Sequence, residues 1–306
     1  MISGKEQDKS MLLIANPAAG RRSIEANLPA VIRVFMDAGY TVTTAITAGN
    51  GEACKLAENH AHEHDLIVCA GGDGTLNECV TGLIRSGKSL PVGFIPCGST
   101  NDFASAHGIP TDMLAAAKAA VKGKSRLLDI GRMGERCFLG TAFFGAFSWM
   151  GYTTPQERKN RLGFSAYVLD GLKGLNKLKP HGVRLSANGR THEDEYIFGS
   201  VSNTKKLCGI VNLPKLGTEL SDGMFEVLLI KRPKNLSDWD EILRGISSGE
   251  FESSVFDFFR AGEIGIENEK GLVWSLDGES SGSFDKATIN VLSNAIDLKG
   301  AGHEGF

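Results

Sequence analysis

Residues 69–80 read Cys-Ala-Gly-Gly-Asp-Gly-Thr-Leu-Asn-Glu-Cys-Val and come directly after the apolar run Leu66-Ile67-Val68. A short apolar run that ends in glycines is a strand signal. Beyond the glycines the pattern is helical: Leu76, Val80, Leu83 and Ile84 fall on one face of a 3.6-residue period. Thr75 is expected to cap that helix. The glycine loop then lies at the C-terminal end of a strand and the positive end of a helix, where backbone N–H groups favour phosphate. Glycines admit that close approach because they carry no Cβ. Asp73 would repel phosphate directly, so it reads as a magnesium partner or an acceptor for a hydroxyl.

The same pattern extends on both sides. Residues 11–17, MLLIANP, read as a strand; 22–38 as a helix; YTVTTAIT as a strand; GEACKLAENHAHEH as a helix. After the glycine loop come the strand LPVGFIP and the helix DMLAAAKAAVKG. Strict alternation predicts the α/β class, a parallel sheet covered by helices. Two more polar loops end predicted strands, Asn16-Pro-Ala-Ala-Gly20 and Cys97-Gly-Ser-Thr-Asn-Asp102. Together the three loops describe one nucleotide crevice. Near residue 125 the rhythm changes to strands with turn signals at Asn188-Gly189 and Asp222-Gly223, interrupted by helical segments at 162–178 and 237–247. This predicts a β-rich second domain. The expected division is 1–127 for nucleotide binding and 128–306 for the β-rich domain, with the C-terminal tail packing back on the first.

The chain has 306 residues and a net charge of −3, which argues against nucleic acid as the main partner. Six cysteines at 54, 69, 79, 97, 137 and 208 form no C-x-x-C pair and read as buried thiols of a cytoplasmic protein. The uncharged stretch 137–156 has the length of a membrane span, but glycines and a proline break it, so buried strands joined by a turn are expected. Residues 151–235 hold 14 Lys/Arg against 8 Asp/Glu, a local +6. That excess fits either a patch for an anionic membrane surface or a solvated face with dispersed charge. His60, His62 and His64 read as a solvated helix end, not a metal site.

NPAAG, GGDGTLNE and PCGSTNDFA, in that order and spacing, resemble the diacylglycerol kinase catalytic-domain family, which includes sphingosine and ceramide kinases. The similarity continues through RKNRLGFSAY and SDGMFEV to Leu276-Asp-Gly-Glu279. It implies a Rossmann-like, NAD-kinase-like nucleotide domain and a sandwich-like lipid domain. It implies ATP, Mg2+ and a lipid acceptor, diacylglycerol first, with peripheral membrane contact and a homodimer among its expectations. Carried over by motif, Asn16, Pro17, Ala18, Ala19, Gly20, Thr47, Gly71, Gly72, Asp73, Gly74, Thr75, Leu76, Asn77 and Thr100 would line the ATP site. Glu279 would be the general base with Asp277 beside it, and Asp73 would anchor the magnesium–water network. Asp222, with carbonyls of Glu219 and Met224, would hold a structural magnesium. The chain departs from the family's pattern at Ser99, Thr141 and Leu213-Pro-Lys, the last two on the lipid side. A sphingoid base, another alcohol or NAD as acceptor, and a nucleotide-binding regulator without turnover, remain alternatives.

Overall fold

The computed structural model describes residues 9–20, 24–145, 179–204, 206–207, 211–212 and 220–302. The helical segment expected at 162–178, the RKNRLGFSAY and Leu213-Pro-Lys stretches, Glu219 and Cys208 lie outside them. The described residues fall into two units, one running to Leu128 and resuming at Asn294, the other running from Asp129 to Ser293.

The first unit alternates as its apolar pattern requires. Its elements are β1 (Lys9–Ala15), α1 (Ile24–Met36), β2 (Tyr40–Ile46), α2 (Glu52–His60), β3 (Leu66–Gly71), α3 (Asp73–Ser86), β4 (Pro91–Pro96), α4 (Asp102–His107) and α5 (Met113–Lys122). All four strands are parallel, in the order β2-β1-β3-β4. Every residue of β3 is buried, as a strand covered on both faces must be. The order reverses between β1 and β3, so the chain leaving these two strands continues toward opposite edges of the sheet. A crevice at such a reversal, outside the carboxyl ends of the strands, is where α/β sheets bind ligands. The NPAAG and GGDG loops leave from there.

The second unit is antiparallel. It contains β5 (Ser125–Met133, whose first residues belong to the first unit), β6 (Arg136–Phe138), β7 (Thr141–Gly145), β8 (His181–Ala187), β9 (Arg190–Ser202), the two-residue pair β10 (Lys206–Leu207) and β11 (Val211–Asn212), β12 (Phe225–Lys231), α6 (Leu236–Ser248), β13 (Phe256–Ala261), β14 (Glu263–Leu276) and β15 (Glu279–Lys299). Strands β13-β12-β9-β7-β14 are neighbours in that order. One core gathers Phe138, Phe144, Tyr196, Phe225 and Trp274. A separate cluster includes Phe198, Leu228, Ile230 and Phe256, together with Ile242 and Ile246 of α6. β15 begins in the second unit, and its Asp297 and Leu298 end beside Pro91 and Val92 of β4.

Two details differ from the sequence reading. Thr75 does not cap α3; the N-cap is Gly72, and Thr75 sits within the first turn. His64 is not solvated: it is buried, with no partner for either ring nitrogen, and burial lowers its pKa. Of the stretch 137–156, the described part forms the end of β6 and all of β7, two strands separated by Leu139 and Gly140. Among the described residues no helix is long and apolar enough to cross a membrane. Cys54, Cys69, Cys79, Cys97 and Cys137 are free and buried. Burial raises the pKa of Cys54, Cys69 and Cys97, which leaves these thiols un-ionised and inert.

Candidate active site

The three loops of the first unit touch through their backbones. A Cβ on Gly98 would lie 2.7 Å from the Gly72 Cα, and one on Gly20 would lie 2.3 Å from the Cys97 carbonyl oxygen. Both distances exclude any side chain, so each glycine is set by contact with a neighbouring loop. Gly20 also has φ +60°, a left-handed conformation that favours glycine. Polar side chains complete the fit. Asn16 donates from Nδ2 to the Thr75 hydroxyl at 2.9 Å, and its Oδ1 accepts the Ala18 N–H at 3.0 Å. Asn101, at φ 52°, bonds both the N–H and the carbonyl of Gly98. Its role was not read from the sequence, although Asn is among the residues that tolerate this left-handed conformation in turns.

Asp73 is the centre of this arrangement. Its Oδ2 accepts from the Thr100 hydroxyl at 3.2 Å and the Asp102 N–H at 3.0 Å, and its Oδ1 accepts the Phe103 N–H at 3.2 Å. The carboxylate thus ties the start of α3 to the start of α4. Three acceptor sites are used, and a carboxylate has about four. The residue therefore fits the water shell of a divalent ion rather than direct capture of the metal. No side chain caps the N-terminus of α3, and its first N–H groups have no partner within the helix. That end, floored by glycines, fits phosphate.

The remaining expected residues divide by position. Pro17, Ala18, Ala19, Gly20, Gly72, Gly74 and Asn77 are at least partly exposed around the three loops. Gly71 is buried against Thr75: a Cβ there would lie 2.6 Å from the Thr75 Cβ. Thr47 is buried just after β2, its N–H on the Ala15 carbonyl. Leu76 is 1% exposed and its N–H bonds the Gly72 carbonyl, so it supports the loop from the core, as its place on the apolar face of α3 requires.

In the second unit, Leu276-Asp-Gly-Glu279 is a two-residue hairpin, with Leu276 opposite Glu279. Asp277 and Gly278 both have positive φ, 49° and 92°. Asp-Gly suits such a turn. The Asp277 carboxylate accepts the N–H groups of Leu139, Gly140 and Thr141 at 2.6, 2.9 and 2.9 Å. It is an anchor that joins the hairpin to the approach to β7, not a second free carboxylate. Glu279 is the exposed member, with its side chain 63% accessible and paired to Arg136 at 3.2 Å. Arg136 was not singled out in the sequence; it lies 143 residues from its partner and belongs to no motif.

The Asp222 turn already holds a cation. Arg260 donates to the Asp222 carboxylate and, at 3.1 Å, to Glu226. The other Asp222 oxygen accepts the Met224 N–H at 3.0 Å. Glu226 is 1% exposed, and burial pushes its carboxyl up to about 7 despite Arg260. Among the described residues no cluster of His, Cys, Asp and Glu could hold a metal. The Asp222 side chain is thus engaged by Arg260, and Glu219, whose carbonyl was expected to complete a magnesium site with that of Met224, lies outside the described residues. EDTA distinguishes the two occupants: a melting temperature of the nucleotide-free protein held within about 2 °C leaves Arg260 as the cation of the turn, and a fall of more than about 5 °C shows that a metal is bound there.

Known proteins match along nearly the whole length. A family model described as the diacylglycerol kinase catalytic domain matches residues 10–133. A second, the YegS C-terminal NAD kinase beta sandwich-like domain, matches residues 153–299. A diacylglycerol kinase of Bacillus subtilis (strain 168) is 33% identical over 286 residues, covering 92% of this chain and 94% of its own. One from Staphylococcus aureus (strain MRSA252) is 30% identical over 285 residues, covering 92% and 90%. A crystal structure from Bacillus anthracis str. Sterne, named for the same kinase, superposes with a TM-score of 0.78 at 26% identity over 98% of both chains. With the three loops and the LDGE hairpin, these similarities establish that the chain belongs to the diacylglycerol kinase catalytic-domain family.

Proposed function

We propose that the protein transfers the γ-phosphoryl group of ATP to the free hydroxyl of diacylglycerol, giving phosphatidic acid. The observation that carries the nucleotide half is the uncapped N-terminus of α3 among three loops in backbone contact. Backbone N–H groups there bind the phosphates, and the glycines exclude side chains that would hold them off. Magnesium, when bound with ATP, neutralises charge on the β- and γ-phosphates. Asp73 would hold it through water while fixing Thr100 and the α4 start.

Glu279 supplies the other half. An exposed carboxylate on a braced hairpin suits a general base, which must reach the hydroxyl it deprotonates. The hydroxyl oxygen bonds to the γ-phosphorus, the bond to ADP breaks, and the proton passes to Glu279. The acceptor resides in a bilayer, so the reading includes peripheral contact with an anionic surface from the cytoplasmic side.

The test is phosphate transfer from labelled ATP by the purified protein, with vesicles containing diacylglycerol, with a sphingoid base, and with NAD. Product in the diacylglycerol arm, raised by anionic lipid, is the expected result. Product confined to another arm reassigns the acceptor, and none in any arm leaves a nucleotide-binding regulator. Glu279→Gln should lower transfer about 10³-fold with nucleotide affinity kept.

A further inference from the structure

We propose that Arg136 is a further catalytic residue: its guanidinium is the cation that the protein itself presents to the transferring phosphoryl group. The inference rests on Glu279 being the base. Arg136 comes just after the tight turn at Gly134 and is opposite Met133. Nη1 donates to the Ser280 carbonyl at 2.7 Å, and Nη2 donates to Glu279 Oε2 at 3.2 Å. One bond fixes the guanidinium to the hairpin backbone; the other holds it against the base.

Stability alone is a poor reason for this pair. Its side chains are 41% and 63% accessible, and exposed ion pairs contribute little. Position is a better reason. A hydroxyl bonded to Glu279 has its oxygen about 2.7 Å from the carboxylate. The γ-phosphorus in a reactive pose lies about 3–3.5 Å further on. A phosphoryl group so placed is within roughly 6 Å of the carboxylate that Arg136 touches. Arginine has five N–H donors, so donors remain for phosphoryl oxygens after the two bonds described.

The charge sequence also fits. Before transfer, the guanidinium is balanced by the ionised Glu279. As the hydroxyl proton moves to the carboxylate, that balance disappears. An uncompensated cation is then left beside the phosphoryl group at the moment its oxygens carry spread negative charge. Asp277 competes little for it, since three backbone N–H groups already engage its carboxylate.

The experiment compares Arg136→Met, Arg136→Lys and Glu279→Gln in the full-length protein with ATP and diacylglycerol vesicles. Arg136→Met is expected to lose about 10²–10³-fold in kcat. Nucleotide affinity should stay within about threefold. Millimolar guanidinium ion should restore at least about tenfold of the loss, and Arg136→Lys should keep an intermediate rate. A bond that only braced the hairpin would not respond to a free cation. Loss without rescue therefore overturns the inference, as does an Arg136→Met enzyme within about threefold of the parent. If Arg136→Met does not fold, Arg136→Lys at the parent rate is the overturning result. Glu279→Gln at the parent rate removes the base reading instead, which separates the two failures.

Discussion

Asp277→Ala is expected to lower the stability of the second unit by about 3–5 kcal/mol and to cut phosphoryl transfer at least about 10²-fold. Three partly buried N–H groups lose a charged acceptor at once. Each such loss costs about 1–3 kcal/mol, and water reaching the loop recovers part of the sum. The activity loss has a separate cause. Asp277 is two residues from Glu279 and bonds back to Thr141 through its own N–H at 2.9 Å. Without the clamp the base loses its fixed position. Asp277→Asn is the informative partner. Asn tolerates the 49° φ, so it keeps the turn while turning one acceptor into a donor facing an N–H. It should fall between alanine and the parent. Calorimetry of the alanine variant within about 2 °C of the parent would show that the three bonds do not hold the hairpin.

Asp73→Asn should keep the fold and lose about 10²–10³-fold in kcat. The amide places a donor against Thr100 and Asp102, or against Phe103 if it flips. Either way one junction between α3 and α4 opens. The variant should also need more magnesium for half-maximal rate, because the carboxylate no longer draws the ion's water shell. A variant within about threefold of the parent, with an unchanged magnesium titration, would reduce Asp73 to a structural clamp.

Local patterns in the chain carry most of the first unit. Alternating periods give its elements, and Gly71, Gly72 and Gly98 mark where the loops meet. The hairpin at Asp277-Gly278 is likewise a local signal. What is not legible is which partner a charged group finds. Nothing near Asp277 announces that its acceptors' donors lie at 139–141, and nothing near Glu279 announces Arg136. Those pairings depend on strand neighbours more than a hundred residues apart. The same holds for Asp222, whose pairing with Arg260 of β13 no local pattern announces. Leu76 shows the opposite case: it stands inside a binding motif, and the helical period alone turns it into the core.

The path of β15 bears on how the protein is made. Everything from Asp129 to Ser293 is emitted by the ribosome before the first unit has its last strand segment. Until Asp297 and Leu298 emerge, β4 is an unpaired border beside β3. An open border of this kind invites pairing with other chains. The inserted unit can complete itself first, while the unit begun earliest waits longest. Nascent-chain proteolysis should therefore find the strands β12 to β14 protected at lengths where the region around β4 is still cut.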